Sequence, residues 1–312
     1  MKALITGILG QDGLYLTEYL LRKGDQVMGV DLPKNAAGVR GITYQSGSLA
    51  DKRLIADMLL KHRPDQVYNL GSISQVSLCY KQPEEAIKVN FQAVVAILEI
   101  IRHKLPNCRF LQASSSEMFS RQTVSPLNEG SLIEPVSFYG VTKAAAYQAI
   151  RIYRLDYGIF AANAILFNHT SPRHTPSFVI AKMINGLVAV KLGKEKKLKL
   201  GDLAVVRDWG YAGDYVKAMS LIIEAKQPDD YVIGTGKDIS LKTILDYVLN
   251  KLNLSYNKVV EIDPELVRKN EQKNIYSDPT KIKKVLGWRP EKTIEQVLDM
   301  MIAAEMERQN GK

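Results

Sequence analysis

Scarcities narrow this chain first. It has only two cysteines, Cys79 and Cys108, well apart in sequence. That excludes a disulfide framework and a cysteine-rich zinc site, and it suits a reducing compartment. The four histidines (His62, His103, His169, His174) lack the spacing that would put two ligands on one helix face, so no metal is expected. No apolar run approaches the ~18 residues of a membrane span; the best, "AVVAILEII", carries Glu99. Internal repeats and low-complexity segments are absent as well. The opening "MKALITGILGQDG" breaks a short apolar run with glycines and ends it at Gln11 and Asp12, unlike a signal peptide. A cytoplasmic protein with no membrane partner is expected.

With 312 residues, 46% of them hydrophobic and 24% charged, the chain has the composition of a soluble globular protein of two domains or one large one. Forty-two basic residues against 33 acidic ones give a net charge of +9, which raises nucleic acid as a partner. The basic residues are scattered, however, and the one local run, "KLGKEKKLKL" at 191–200, reads as a solvated face. No nucleic-acid partner is expected; a phosphorylated substrate is compatible with the excess.

Short apolar runs alternate with amphipathic segments over the first ~165 residues, the pattern of βαβ units on a parallel sheet. Strands are expected at "KALIT", "QVMGVD", "GITYQSG", "DQVYNLG", "RFLQAS" and "FAANAILFN", with helices at "DGLYLTEYLLRKG", 51–62, 83–104 and 139–157. From Asn168 the stretch "NHTSPRHTPSF" is rich in proline and polar residues and marks a functional loop or domain junction. Helices at "VIAKMINGLVAVKLG", "AGDYVKAMSLIIEA", "LKTILDYVLNKL" and near 293–309 follow, mixed with short strands. The fold class is therefore α/β: a doubly wound parallel Rossmann sheet over 1–167 and a smaller α/β domain over 168–312, with parts of 201–236 returning to the first.

Gly7, Gly10 and Gly13 sit as G-x-x-G-x-x-G between the first strand and the first helix. Glycines there let backbone N–H groups and a helix N-terminus approach a pyrophosphate, and the strand–turn–helix context supports a dinucleotide site. Asp31 ends the second strand, where a carboxylate accepts from ribose hydroxyls and repels a 2′-phosphate. NAD is the expected cofactor, with NADP the alternative. Asp-Leu-Pro is also ordinary turn chemistry.

Tyr139 and Lys143 stand at i and i+4 on one helix face. A nearby ammonium is expected to lower the phenol's pKa and make it a base near neutrality. Alone, such a pair is equally an amphipathic surface helix. Glu117, in "QASSSEMF", lies where a buried strand ends, either a solvated loop residue or part of a reaction centre.

With the glycine loop, the tyrosine and the lysine, the chain resembles an extended short-chain dehydrogenase/reductase. "ITGILGQDGLYLTEYLL", "VYNLGSISQVS", "QASSSEMF", "FYGVTKAAAY", "AILFNHTSPR", "RDWGYAGDYVKAM" and "SDPTKIKKVLGWRP" look like signature segments of the GDP-mannose 4,6-dehydratase family. The Gln-Asp pair inside the glycine loop and the Asn-His-x-Ser-Pro-Arg segment are specific to that family and its near relatives.

The resemblance implies a lyase in which Ser115 holds the sugar oxygen, Tyr139 takes the C4 hydroxyl proton with Lys143 beside it, and Glu117 removes the C5 proton. Hydride leaves C4 for the dinucleotide, water is lost from C6, and hydride returns to C6. It also implies that Gln11, Asp12, Leu49, Leu70, Gly71 and Ser72 join the cofactor site. Asn168, Lys182, Arg207 and Arg268 would meet a GDP-linked sugar. A homodimer is implied, through helices 83–104 and 139–157, with a tetramer the alternative.

Two features depart from the family. Its arginine after the second strand and longer loop, tied to NADP and tetramer contacts, give way to Asp31 and the short "LPKNAAGVRG". His174-Thr175 stands where a second arginine and a glycine are expected. A 4-ketoreductase, 4-dehydrogenase or epimerase acting on a related GDP-sugar is the alternative activity, because these need no C5 base.

Overall fold

The computed structural model describes residues 1–32, 41–119, 124–267 and 274–311. The apolar runs of the first half become β1 (Lys2–Thr6), β2 (Gln26–Asp31), β3 (Ile42–Ser46), β4 (Gln66–Asn69), β5 (Arg109–Ser115) and β6 (Ala161–Leu166). A seventh strand, β7 (Asp230–Ile233), returns from the second half. Every residue of β4, β6 and β7 is buried, as strands covered on both faces must be. The order is β7-β6-β5-β4-β1-β2-β3 and all neighbours are parallel.

The longer helices are α1 (Gln11–Arg22), α2 (Lys52–His62), α3 (Ala93–Lys104), α4 (Phe138–Tyr157), α5 (Val179–Lys191), α6 (Ala212–Glu224), α7 (Leu241–Leu252) and α8 (Ile294–Gln309). Leu16 and Leu20 of α1 and Val216, Met219 and Ile222 of α6 share one core with the sheet. Ile55 of α2, Ile97 of α3 and Ile150 of α4 pack in another core with the sheet residues Leu4, Val67 and Phe110. A separate core gathers α5, α7 and α8 with the parallel pair Leu198–Leu200 and Val260–Ile262. The lysine run at 191–200 borders it: Leu198 and Leu200 point in, whereas Lys194, Lys196, Lys197 and Lys199 are exposed. Among the described residues no helix is long and apolar enough to cross a membrane.

One expected element divides. The 83–104 helix is three pieces: Pro83–Ile87, a π-helical turn at Lys88–Gln92, and α3. A π turn inserts a residue and re-aims the side chains around it. Here Asn90 is buried, accepts from Ile73 N–H at 2.8 Å and donates to Ile73 O and Thr142 Oγ, each at 3.1 Å. It therefore ties the loop after β4 to α4.

Strand order reverses between β1 and β4, and ligands of such sheets bind beyond the C-terminal strand ends at that point. β1 runs into Gly7, β2 ends at Asp31, β4 runs into Leu70–Ser72, β5 ends at Ser115 and β6 leads to Asn168. Chain topology alone thus brings Gly7, Asp31, Leu70–Ser72, Ser115 and Asn168 to one edge of the sheet.

Candidate active site

The glycine loop is a cradle that side chains would fill. Gly7 has φ +68°, and a Cβ there would lie 2.7 Å from Gly71 Cα; a Cβ on Gly13 would lie 2.4 Å from Gly7 O. Gly10 N–H donates to Gly7 O at 3.0 Å and closes the turn ahead of α1. Leu49 packs so closely against Gly71 that a Cβ at 71 would lie 2.5 Å from Leu49 Cδ1. Asp31 Oδ2 accepts from Leu9 N–H at 2.9 Å and Oδ1 from Leu32 N–H at 2.8 Å, which fixes the carboxylate beside the loop. These residues fit a dinucleotide, with the bare loop at its pyrophosphate and Asp31 at a ribose. The short loop after β2 falls at 33–40, outside the described residues.

Ser115, Glu117, Tyr139 and Lys143 come together. Ser115 closes β5 and caps the single 3₁₀ turn Ser116–Met118, accepting from Glu117 N–H at 3.2 Å. Ser137, the N-cap of α4, accepts from Gly140 N–H at 3.0 Å and donates to Glu117 Oε2 at 3.5 Å. Gly140 lets this happen: a Cβ there would lie 2.3 Å from Glu117 O. The Tyr139 phenol lies near the Ser115 and Ser72 hydroxyls, and the Glu117 carboxylate is close enough to act on it electrostatically. Glu117 is half-buried in this turn, its carboxylate meeting the Ser137 hydroxyl.

The electrostatics correct one expectation. Burial, foremost, and then the Glu117 charge push the Tyr139 phenol well above its ordinary range, outweighing the opposing influence of the Ser115 and Ser72 hydroxyls. The Lys143 ammonium does not reverse this. Its Nζ lies 5.7 Å from the Tyr139 ring centroid and donates to Ala113 O at 2.7 Å, and burial lowers its own pKa to about 8. Desolvation disfavours both charged forms at once.

Stability should record this. Lys143 binds protons less readily folded than unfolded, so its charged form costs stability at neutral pH. That cost is relieved as pH rises from about 8 towards 10.5. The shift corresponds to about 3 kcal/mol at 1.36 kcal/mol per unit. Comparing wild type with Lys143→Met in urea at a series of pH values, the stability difference should move towards wild type across that window. A difference flat with pH would show that Lys143 is not desolvated.

The proposed substrate residues spread over both halves. Asn168 follows β6, and its carbonyl accepts from Gly210 N–H at 2.9 Å. Lys182 is half-buried near the start of α5. Arg207 is buried on the short strand Val206–Arg207, flanked by Ile239–Ser240 and Asn274–Ile275. Its neighbour Asp208 is wholly buried and accepts from Thr235 and Gly236 N–H and from the hydroxyls of Thr235 and Ser277. Arg268 lies outside the described residues. His174 tucks inward: its ring stacks 4.2 Å from Phe178 and meets Thr170 Oγ at 3.0 Å, while burial and the His169 charge push its pKa down to about 4. A neutral imidazole thus stands where the family pattern has a cation.

Sequence reasoning missed Asn90, Ser137, Gly140 and His169. Gly140 sits inside the quoted "FYGVTK", so its motif carried a signal; a lone asparagine in an apolar helix carried none. Among the described residues no group of three His, Cys, Asp or Glu could hold a metal ion.

Known proteins resemble this chain to different depths. The fold matches the Thermotoga maritima UDP-glucose 4-epimerase solved with UDP-glucose, with TM-score 0.88, 24% identity and full coverage of both chains. It also matches a Bacillus anthracis dTDP-glucose 4,6-dehydratase in complex with NAD, with TM-score 0.84 and 20% identity over 99% of this chain and 97% of that one. Sequence likeness goes further. GDP-mannose 4,6 dehydratase 1 of Arabidopsis thaliana is 37% identical over 98% of this chain and 90% of its own. A GDP-mannose 4,6-dehydratase of Vibrio cholerae is 34% identical over 98% and 94%. The family profile described as GDP-mannose 4,6 dehydratase matches residues 4–301, from within β1 into the last helix. A hydroxyl, a carboxylate, a phenol and a lysine meeting beside a dinucleotide cradle thus belong to a chain that is, over nearly its whole length, a member of the GDP-mannose 4,6-dehydratase family.

Proposed function

We propose that the chain removes water from a GDP-mannose-like sugar to give its 4-keto-6-deoxy form. The carrying observation is that Glu117 follows Ser115 within one turn, its N–H on the Ser115 hydroxyl, and that its carboxylate is close enough to act electrostatically on the Tyr139 phenol. Oxidation and reduction at C4 need only the hydroxyl, phenol and lysine, whereas elimination also needs a base for C5.

The nicotinamide, when bound, supplies the acceptor for hydride from C4 and the donor that returns it to C6. The chain's own residues handle protons and position. Tyr139 Oη takes the C4 hydroxyl proton, and Ser115 Oγ hydrogen-bonds the same oxygen. Once C4 is a ketone the C5 proton is acidified; Glu117 removes it and passes it to the departing C6 hydroxyl, which leaves as water, and C5 takes a proton from solvent when hydride reaches C6, balancing the proton that Tyr139 releases. Asn168, Lys182 and Arg207 hold the nucleotide diphosphate, the two cations matching its oxygens. Incubating the purified protein with a panel of GDP- and dTDP-sugars, mass spectrometry should find a product lighter by one water from a GDP-sugar. Products of unchanged mass, or changed only by two hydrogens, would instead give the epimerase, dehydrogenase or ketoreductase activity.

Asp31 favours NAD over NADP, because a carboxylate fixed beside the loop would face a 2′-phosphate with like charge. Titration of both cofactors should show tighter NAD binding, and Asp31→Ala should narrow the gap. Tighter NADP binding by the unaltered protein would refute the preference.

Two copies pair through α4 and the helices around α3. Val141, Ile152 and Leu155 are 49%, 52% and 71% exposed and recur at helical spacing along α4, leaving an apolar stripe uncovered in the single chain. Light scattering at micromolar concentration should give twice the chain mass; a monomer would count against the pairing. We place the reaction in the cytoplasm, where the thiols of Cys79 and Cys108, free and buried, stay reduced.

A further inference from the structure

The two family-specific motifs lie about 157 residues apart, and the chemistry above uses neither the Gln-Asp pair nor the histidine. In the structure they meet. Asp12, in the first turn of α1, places Oδ1 and Oδ2 at 3.0 and 2.9 Å from His169 Nε2. Next to it, Gln11 Oε1 accepts from Ser171 Oγ at 2.7 Å. Residues i and i+1 of the glycine loop thus engage two positions of the junction loop that flank Thr170.

The charge on His169 follows from geometry. Its other ring nitrogen, Nδ1, lies 2.9 Å from Phe167 O. A carbonyl and a carboxylate both only accept, so each ring nitrogen must carry a proton and the ring is an imidazolium. The Tyr215 ring lies beneath it, with centroids 4.7 Å apart. The pairing accordingly holds Asp12 below its usual range, although burial alone would raise it.

The location gives the pair its consequence. Asp12 stands beside the loop that fits the pyrophosphate, and His169 follows Asn168, proposed for the nucleotide sugar. His169–Thr170 also pairs as a strand with Gly210–Tyr211, three residues beyond Arg207. The dinucleotide cradle and the groups proposed to act on the sugar ring lie in the first half of the chain, those proposed for the nucleotide diphosphate in the second, yet hydride transfer needs C4 registered against its acceptor to a fraction of an ångström. We propose that Asp12–His169, assisted by Gln11–Ser171, is a strut of positioning residues that registers the half proposed to hold the nucleotide diphosphate against the dinucleotide-binding half. This reassigns the Gln11 and Asp12 side chains, expected at the cofactor, to the junction loop.

The inference rests on the functional reading above, and its test separates the two. Asp12→Asn, His169→Gln, the double variant and the milder Ser171→Ala are compared with wild type. Binding to each half is probed with NAD and with GDP separately, and kcat is measured with GDP-mannose. A strut predicts that Asp12→Asn and His169→Gln each lower kcat by about 10- to 100-fold, the scale of loss from an ångström of misplacement. Kd for NAD and for GDP should stay within about threefold, and the double variant should be no slower than the slower single, since both remove one interaction. Should these variants fail to fold, Ser171→Ala carries the test: kcat should fall severalfold at unchanged affinities. A kcat within twofold of wild type, or losses of affinity that parallel the loss of kcat, would overturn the strut. A wild type that oxidises C4 without losing water would instead refute the dehydratase reading, and the strut would then be read on that oxidation.

Discussion

Glu117→Gln is expected to stop the reaction halfway. The amide is nearly isosteric with the carboxyl, so the Ser116–Met118 turn, its Ser115 cap and the close packing of Gly140 on Glu117 O should survive. Ser137 Oγ retains an acceptor in the amide oxygen. C4 oxidation needs Tyr139, Ser115 and Lys143, all untouched. Elimination, which needs a proton acceptor at C5, should slow by roughly 10²–10⁴-fold, the usual contribution of a positioned general base. Reduced nicotinamide and a 4-keto hexose should therefore build up on the enzyme, visible as absorbance that wild type does not accumulate. Turnover like wild type would make Glu117 a structural loop residue and shift the assignment to a reductase, dehydrogenase or epimerase.

Tyr139→Phe should fail earlier. The ring still fills its place at the start of α4, but the oxygen that faces the Ser115 hydroxyl and takes the C4 proton is gone. No reduced nicotinamide should appear in a single turnover, and product formation should fall by at least roughly 10²-fold. The unaltered protein gives a complementary signature. Because burial holds the phenol well above its ordinary range, its base form is scarce at neutral pH. The first half-reaction should therefore speed up as pH is raised from neutrality. Reduced nicotinamide formed by Tyr139→Phe at the wild-type rate would remove Tyr139 from the proton path.

What could be read in the sequence depended on whether a signal is local. β1, β2 and α7 occupy the spans their apolar patterns mark, because period and boundary residues are local properties. The glycine loop was legible because its geometry forbids a Cβ at Gly7 and Gly13. Tyr139 and Lys143 were legible as a pair, since i and i+4 share a face, but not in their proton affinities. Desolvation depends on what covers a residue, and the cover comes from β5, the loop after β4 and the turn at Glu117. The π turn at Lys88–Gln92 divided a run that reads as one helix, its cause being the contacts of Asn90 with a loop 17 residues earlier. The Asp12–His169 contact was closed to sequence reasoning for the same reason: each residue has an innocent local reading, and only the folded chain shows them 2.9 Å apart.

The route of one hydrogen tests the central claim most directly. GDP-mannose carrying deuterium at C4 is incubated with the protein and a catalytic amount of unlabelled cofactor, and the product is examined by mass spectrometry and NMR. A site that combines Tyr139 and Glu117 as described predicts loss of one water, deuterium at C6 of a 4-keto-6-deoxy product, and no net reduction of cofactor. Deuterium recovered in released cofactor, or a product that still holds its C6 hydroxyl, would contradict the account.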